Sequence, residues 1–391
     1  MNLKKKRFLA VPLAALLSLA TVATAASSSW VVVPSPNPNV QNVLQSVSRA
    51  SSSDLWAVGN QFNASYNEFT LAEHWDGTNW TAFPTPSPGS SQCAPQWQNT
   101  LNGVAEVSTS DVWAVGFICG ANEDGVTLVE HWDGTEWSVV SSPNPSSYSY
   151  LYAVAAVSAN NIWAVGQNYG SGEPSTLVEH WDGTVWSIVS SPNPAGRTAY
   201  LSAVSAVSGT DIWAVGYSGA SSAPYLIPLI EHYDGTNWSI VSSPYVPSSR
   251  FNWLNGVTAI SANDVWAVGY QNENAKGQDG QGLIEHWNGT KWSLVNSPVA
   301  GDVTILYAIT GSSSANVWAV GYLQNSNLDM LPIIEQWNGS VWKVVSSPDP
   351  GNAAQFLGAA TVLGQAWAVG AYSTEVGSWL NDPLTLTIEN N

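Results

Sequence analysis

The 391-residue chain carries 10 Lys+Arg against 28 Asp+Glu, a formal net charge of −18, yet only 10% of its residues are charged. So acidic a chain argues against nucleic acid as a partner, because that affinity rests on basic side chains neutralising phosphate. With 32 Gly, 22 Pro and 22 Trp, the composition describes many short strands joined by turns rather than helices or disorder.

The first residues read as an export signal. Lys4, Lys5, Lys6 and Arg7 precede an apolar run from Phe8 to Val22, which reaches Ala23-Thr24-Ala25 just before Ala26. The run is shorter than the roughly 20 residues a membrane-spanning helix needs. Cleavage after residue 25 is therefore expected, giving a secreted, soluble and monomeric mature protein with no membrane span. The mature chain would keep six basic residues against 28 acidic ones, a net charge of about −22.

Past the signal, one unit repeats. Trp-Ala-Val-Gly recurs with its Trp at 56, 113, 163, 213, 266, 318 and 367, a period near 50 that suggests a β-propeller. The copies span about 43–89, 100–147, 150–196, 200–249, 253–301, 305–351 and 356–391, the last completed by 28–38. The third copy holds four strand candidates, Leu151–Ser158, Ile162–Gly166, Thr176–Trp181 and Trp186–Ser190. Strands three and four are joined by Asp-Gly or Asn-Gly in six copies, from Asp76-Gly77 to Asn338-Gly339, the signature of a two-residue hairpin turn. Each copy is thus an expected four-stranded antiparallel meander, and the fold an all-β, seven-bladed propeller.

Strand alternation sends the Trp and Val of Trp-Ala-Val-Gly to one sheet face and the Ala and Gly to the other. A bulky face on one blade can then meet a small face on the next. Of the 22 Trp, 19 fall in three repeated positions, which marks them as core. The seventh copy stops near Glu389 with three strands. The missing fourth stands at the other end of the chain, in Ser29-Trp30-Val31-Val32-Val33, so the ring is expected to close by pairing its two ends.

The Ile212-to-Trp238 rhythm, Ile-Trp-Ala-Val-Gly followed by His-Tyr-Asp-Gly-Thr-Asn-Trp, is similar to tectonin-type propeller repeats, many of which are lectins. In architecture the chain resembles kelch and galactose-oxidase-like propellers. The kelch Gly-Gly doublet is absent, and so are the histidines that a galactose-oxidase-like copper site requires. The resemblance implies the fold and carries over no ligand residue.

All five His (74, 131, 180, 232 and 286) follow a Glu at one repeat position, so they cannot converge on a metal. They are expected to be structural, with the adjoining buried Glu hydrogen-bonded. No nucleophile elbow, phosphate loop or zinc motif appears. Strand polarity gathers the long, variable loops on one face, where function tends to reside. There lie Glu68, Glu123 with Asp124, Glu173, Glu273 with Asp279, Asp329, Glu375 with Asp382, and Tyr66. Trp97 and Trp379 lie there too, outside any repeated position. Trp253 is matched by Tyr150, Tyr200 and Phe356 and reads as one of a structural aromatic ring at the channel mouth. Cys93 and Cys119 flank neighbouring strands and read as a disulfide in an exported protein. Arg49 and Glu106 share one strand-one position in adjacent blades and are expected to form an ion pair.

These features favour a non-catalytic binding module for an extracellular glycan or cell-surface polymer. The expected site is the sector of blades seven, one and two, with Trp97, Trp379, Tyr66, Glu68, Glu123 and Asp124 as ligand-facing residues. Ca²⁺ held by loop oxygens is the one cofactor considered. A protein-interaction scaffold and a polysaccharide hydrolase or lyase, which would need two facing carboxylates, remain the alternatives.

Overall fold

The structure is a computed structural model that describes residues 29–90, 93, 99–170, 172–220, 223–245, 249–272, 280–375 and 383–390. The proposed signal segment, Trp97, Trp379, Glu273, Asp279 and Asp382 lie outside these residues. Every regular element among the described residues is a strand, and no helix is long and apolar enough to cross a membrane.

Seven meanders follow one another along the chain. The first comprises β2 (Gln41–Ser51), β3 (Asp54–Phe62), β4 (Glu68–Trp75) and β5 (Trp80–Phe83), paired antiparallel in that order. The seventh comprises β26 (Ala353–Val362), β27 (Gln365–Ser373) and β28 (Leu384–Asn390), and its fourth strand is β1 (Trp30–Val32). In that closure Trp30 faces Asn390 and Val32 faces Ile388. Ser35 Oγ adds a 2.6 Å hydrogen bond to Thr385 Oγ1. The first strands of successive blades lie side by side around the axis, with β2 beside β26, which makes the ring a closed propeller.

The core is a set of blade-to-blade interfaces. Trp56 and Val58 of blade one pack on Leu101, Val112 and Ala114 of blade two, as the alternation requires. Trp56 also meets Trp132 at 4.9 Å and Trp137 edge-on at 5.1 Å, an aromatic trio repeated at every interface except that of blades six and seven, where, among the described residues, Trp318 meets Trp30 alone. The small face has a backbone reason as well. A Cβ at Gly59 would collide with the Val43 carbonyl, and the other glycines of the repeated tetrapeptide face the same obstacle. Opposite this glycine, every first strand carries a β-bulge, at Gln45 in blade one.

The hairpin between strands three and four differs from the expected two-residue turn. Trp75 pairs with Trp80 across four residues, and only Gly77 is left-handed, with φ 93°. Asp76 Oδ1 accepts hydrogen bonds from the amides of Thr78 and Asn79, both 2.8 Å, so an Asx turn replaces the tighter geometry.

The histidines hold the blades internally. His74 Nε2 lies 2.6 Å from Asp54 Oδ1, and the equivalents pair with Asp111, Asn161, Asp211 and Asp264. The neighbouring glutamates are fully buried. Glu231, Glu285 and Glu335 accept hydrogen bonds from Ser191, Ser243 and Ser297 of the preceding blade. Glu73, Glu130 and Glu179 have no such partner on either oxygen, contrary to the expectation that all would be bonded. Burial pushes Glu130 and Glu179 up to about 8, so these carboxyls are accommodated by staying protonated.

The expected Arg49–Glu106 ion pair is replaced by other contacts. Arg49 Nη1 donates to the Gln365 carbonyl of blade seven at 2.9 Å. Glu106 lies beside Asp54, and burial followed by that neighbouring charge pushes its carboxyl up to about 9. A protonated Glu106 can donate to the buried Asp54 Oδ2, which has no other partner.

Candidate functional site

The bulges position the site. In an ordinary antiparallel ladder the residue after Leu44 would pair with strand two, but the register skips from Leu44 to Ser46. The skipped residue turns toward the axis, and the same happens at Asn102, Tyr152, Ser202, Asn255, Tyr307 and Leu357. These residues, one from each blade, line a cup of about 370 Å³ on the axis at the variable-loop face, joined by Gln167, Tyr200 and Tyr217. Below it the axis continues as a throat of about 190 Å³ lined by Ser46, Gly103, Ala153, Ala203, Gly256, Ala308 and Gly358.

Tyrosines and carboxamides are mixed around the cup, with Tyr307 of blade six beside Asn255 of blade five. Blades three and four supply Tyr152, Tyr200 and Tyr217, with the last two rings stacked at 4.7 Å. Burial raises all three hydroxyls above the ordinary tyrosine range, so they remain neutral donors. Blades one, two and five supply the carboxamides of Gln45, Asn102 and Asn255. Asn102 and Asn255 each donate Nδ2 to the next blade's backbone, to Leu151 and Leu306 at 2.9 Å, which commits the donor and fixes the amide. Gln167 donates Nε2 to the Tyr152 hydroxyl at 2.7 Å, while its buried Oε1 has no partner. No charged side chain is among the described residues lining the cup.

The sector of blades seven, one and two is built differently. Tyr66 is 58% exposed and Glu123 is exposed, both at left-handed positions, φ 61° and 60°. Leu328 of blade six occupies the same kind of loop with φ 68°. Each amide closes a short turn, Tyr66 N to Asn63 O, Glu123 N to Gly120 O and Leu328 N to Asn325 O. Glu68 sits beneath this surface at 5% exposure, accepting from Asn60 Nδ2 at 2.7 Å and from the Asn99 amide at 3.3 Å. It ties blade one to blade two.

Glu123 and Asp124 border a cavity of about 180 Å³ with Phe117, Tyr148 and Tyr150. A groove of about 350 Å³ lies on blade one between Asn63, Phe69, Phe83 and Thr85. Cys93 and Cys119 form the disulfide, with Cα atoms 6.3 Å apart. Among the described residues no group of three His, Cys, Asp or Glu could hold a metal ion.

The aromatic ring at the mouth also differs from its expected membership. Tyr150, Tyr200 and Trp253 are equivalent, but Phe356 pairs with Gly370 as Leu151 pairs with Gly166, one residue deeper. Phe356 is fully buried core, and Gln355 stands at the ring position in blade seven. Trp253 packs on Tyr270 at 4.7 Å.

No family model matches the chain, and no curated protein matches it. Among solved structures it is similar to YCF48 bound to D1 peptide, with TM-score 0.54 and 13% identity over 94% of this chain and 97% of that one. It is also similar to the WD40 β-propeller domain of Doa1, with TM-score 0.54 and 11% identity over 92% and 96%. The SapL1 lectin in complex with α-methyl fucoside superposes more loosely, with TM-score 0.49 and 16% identity over 78% and 95%. At these identities the likeness is one of fold, the β-propeller.

Proposed function

We propose that this chain is an exported, non-catalytic binding module that recognises carbohydrate outside the cell, with the axial cup as its principal site. The observation that carries this reading is the lining of the cup, in which tyrosines and carboxamides together surround the axis. A sugar ring offers an apolar face for an aromatic wall and hydroxyls for amides, and a concave site with a few placed polar groups is where such a ligand is oriented. Export is supported by the leader-like first residues and by a disulfide suited to an oxidising compartment. Tyr66, Glu123 and Asp124 are the rim residues from which longer ligands would gain further contacts, and Trp97 and Trp379, outside the described residues, are proposed to add to them.

A protein partner is the second reading. It is favoured by apolar side chains left open on the loop face, Leu328 at 74% and Val299 at 75% exposure. A hydrolase or lyase would need two carboxylates across the pocket, and the cup offers none. A glycan array probed with the mature chain in Ca²⁺ and again in chelator tests the proposal. Binding to a defined set of glycans is expected, a loss in chelator would assign Ca²⁺ to the site, and a blank array would remove the carbohydrate reading.

A further inference from the structure

Three properties of the cup restrict its ligand further. The first is charge. Every described residue of the lining is neutral, in a chain whose formal charge is −18. An anionic ligand would enter against the field of the whole protein and find no Lys or Arg among the described lining residues. Acidic sugars and phosphorylated groups are therefore disfavoured, and a neutral one is suited.

The second is shape. The cup opens at the loop face and leads down into a throat walled by small side chains and backbone. The innermost strands leave no room for a wider bore. A Cβ at Gly103 would come within 2.9 Å of Ala153 Cα, and one at Gly358 within 2.8 Å of Ser46 Cα. Hydroxyls knit the strands at that spacing, with the Val104 amide donating to Ser46 Oγ and Thr310 bonded to Thr361. At the short-turn end Arg49 lies across the boundary between blades one and seven, bonded to Gln365. A sugar that enters the cup from the loop face meets a narrower throat beneath it, so it presents an end.

The third is a waiting acceptor. Gln167 is 7% exposed, its Nε2 is held by the Tyr152 hydroxyl, and its Oε1 is buried without a partner in the wall of the cup. Buried polar atoms are normally satisfied, and a small rotation of the Gln167 side chain would bring this one to a ligand hydroxyl in the cup.

We infer that the cup recognises the uncharged terminal residue of a glycan chain, end-on, against its tyrosines and carboxamides, with Gln167 Oε1 accepting from a sugar hydroxyl. This rests on the carbohydrate reading above and adds to it the charge and the mode of entry.

The test is calorimetric titration of the mature chain with methyl glycosides of neutral hexoses, with glucuronate and galacturonate, and with one neutral linear polysaccharide at two chain lengths and equal mass. Neutral glycosides are expected to bind and the uronates at least tenfold more weakly, and affinity for the polysaccharide is expected to follow the concentration of chain ends. Gln167→Leu should weaken binding tenfold or more. Ser202→Trp should fill the cup and abolish binding, with Tyr152→Phe as the milder variant should the Trp disturb folding.

Equal or tighter binding of uronates, affinity that follows total sugar rather than ends, or binding that survives both Gln167→Leu and a folded Ser202→Trp would each overturn this inference while leaving carbohydrate recognition standing elsewhere on the loop face. Failure of every saccharide to bind would overturn the carbohydrate reading itself.

Discussion

Glu179→Gln isolates a charge effect inside the blades. Glu179 is fully buried with no hydrogen-bond partner on either oxygen, and burial pushes its carboxyl from 4.5 up to about 8. The folded state therefore keeps a proton that the unfolded chain releases, so stability is fullest below about pH 4.5 and falls as pH rises toward 8. At about 1.4 kcal/mol per pKa unit, this one residue should cost the wild type about 2.5 kcal/mol between pH 5 and pH 7. The figure barely changes for any folded value of about 8 or above, because the proton is then still mostly bound at the upper pH. Glutamine mimics the neutral acid at every pH. Any pH-independent cost of the swap cancels in the comparison. Urea denaturation of wild type and Glu179→Gln at pH 5 and pH 7 should show the variant gaining about 2.5 kcal/mol relative to wild type on going to the higher pH. An identical difference at both pH values would mean that Glu179 is ionised in the folded blade and that the burial argument is wrong. Glu130, Glu285 and Glu335, also raised to about 8, act with the same sign, so the protein as a whole should be more stable at pH 5 than at pH 8.

The closure of the ring predicts that deleting residues 26–38 abolishes cooperative thermal unfolding, since β28 would lose β1 and Thr385 its partners. Circular dichroism melting checks this, and an unchanged sharp transition would refute the closure. Replacing both Cys93 and Cys119 with Ser should cost about 3 kcal/mol in urea denaturation, the entropy of opening a loop of this size. Replacing Trp97 and Trp379 with Ala should weaken binding of extended glycans while leaving thermal unfolding nearly unchanged. A loss of several kcal/mol would instead make them core residues.

The fold was legible because each physical requirement recurs at each repeat. Trp56 needs the next blade's Trp pair, Gly59 needs to admit the Val43 carbonyl, and Gly77 needs positive φ, so each leaves a periodic mark in the chain. The disulfide was legible from strand adjacency. The cup was not, because its seven bulge residues, from Gln45 to Leu357, share a position but no chemistry. Variation directly after a Leu that is constant in six of the seven copies was the available signal, since a buried strand position would have been uniformly apolar. The same bulge shifted the reading of Phe356 by one residue. Glu68 looked like a ligand-facing carboxylate because a sequence does not show that Asn60 and Asn99 will enclose it. Arg49 and Glu106 are opposite in charge and matched in level, but Arg49 bonds Gln365 and Glu106 responds more to Asp54.

The most direct measurement is a crystal structure of the mature chain with the tightest ligand from the glycan array. A neutral terminal sugar seated on the axis, touching Tyr152 and Gln167 with its chain leading out past the loop face, is the predicted result. A sugar bound in the blade-one groove beside Asn63 and Phe69, or at the outer perimeter with the cup empty, would contradict it.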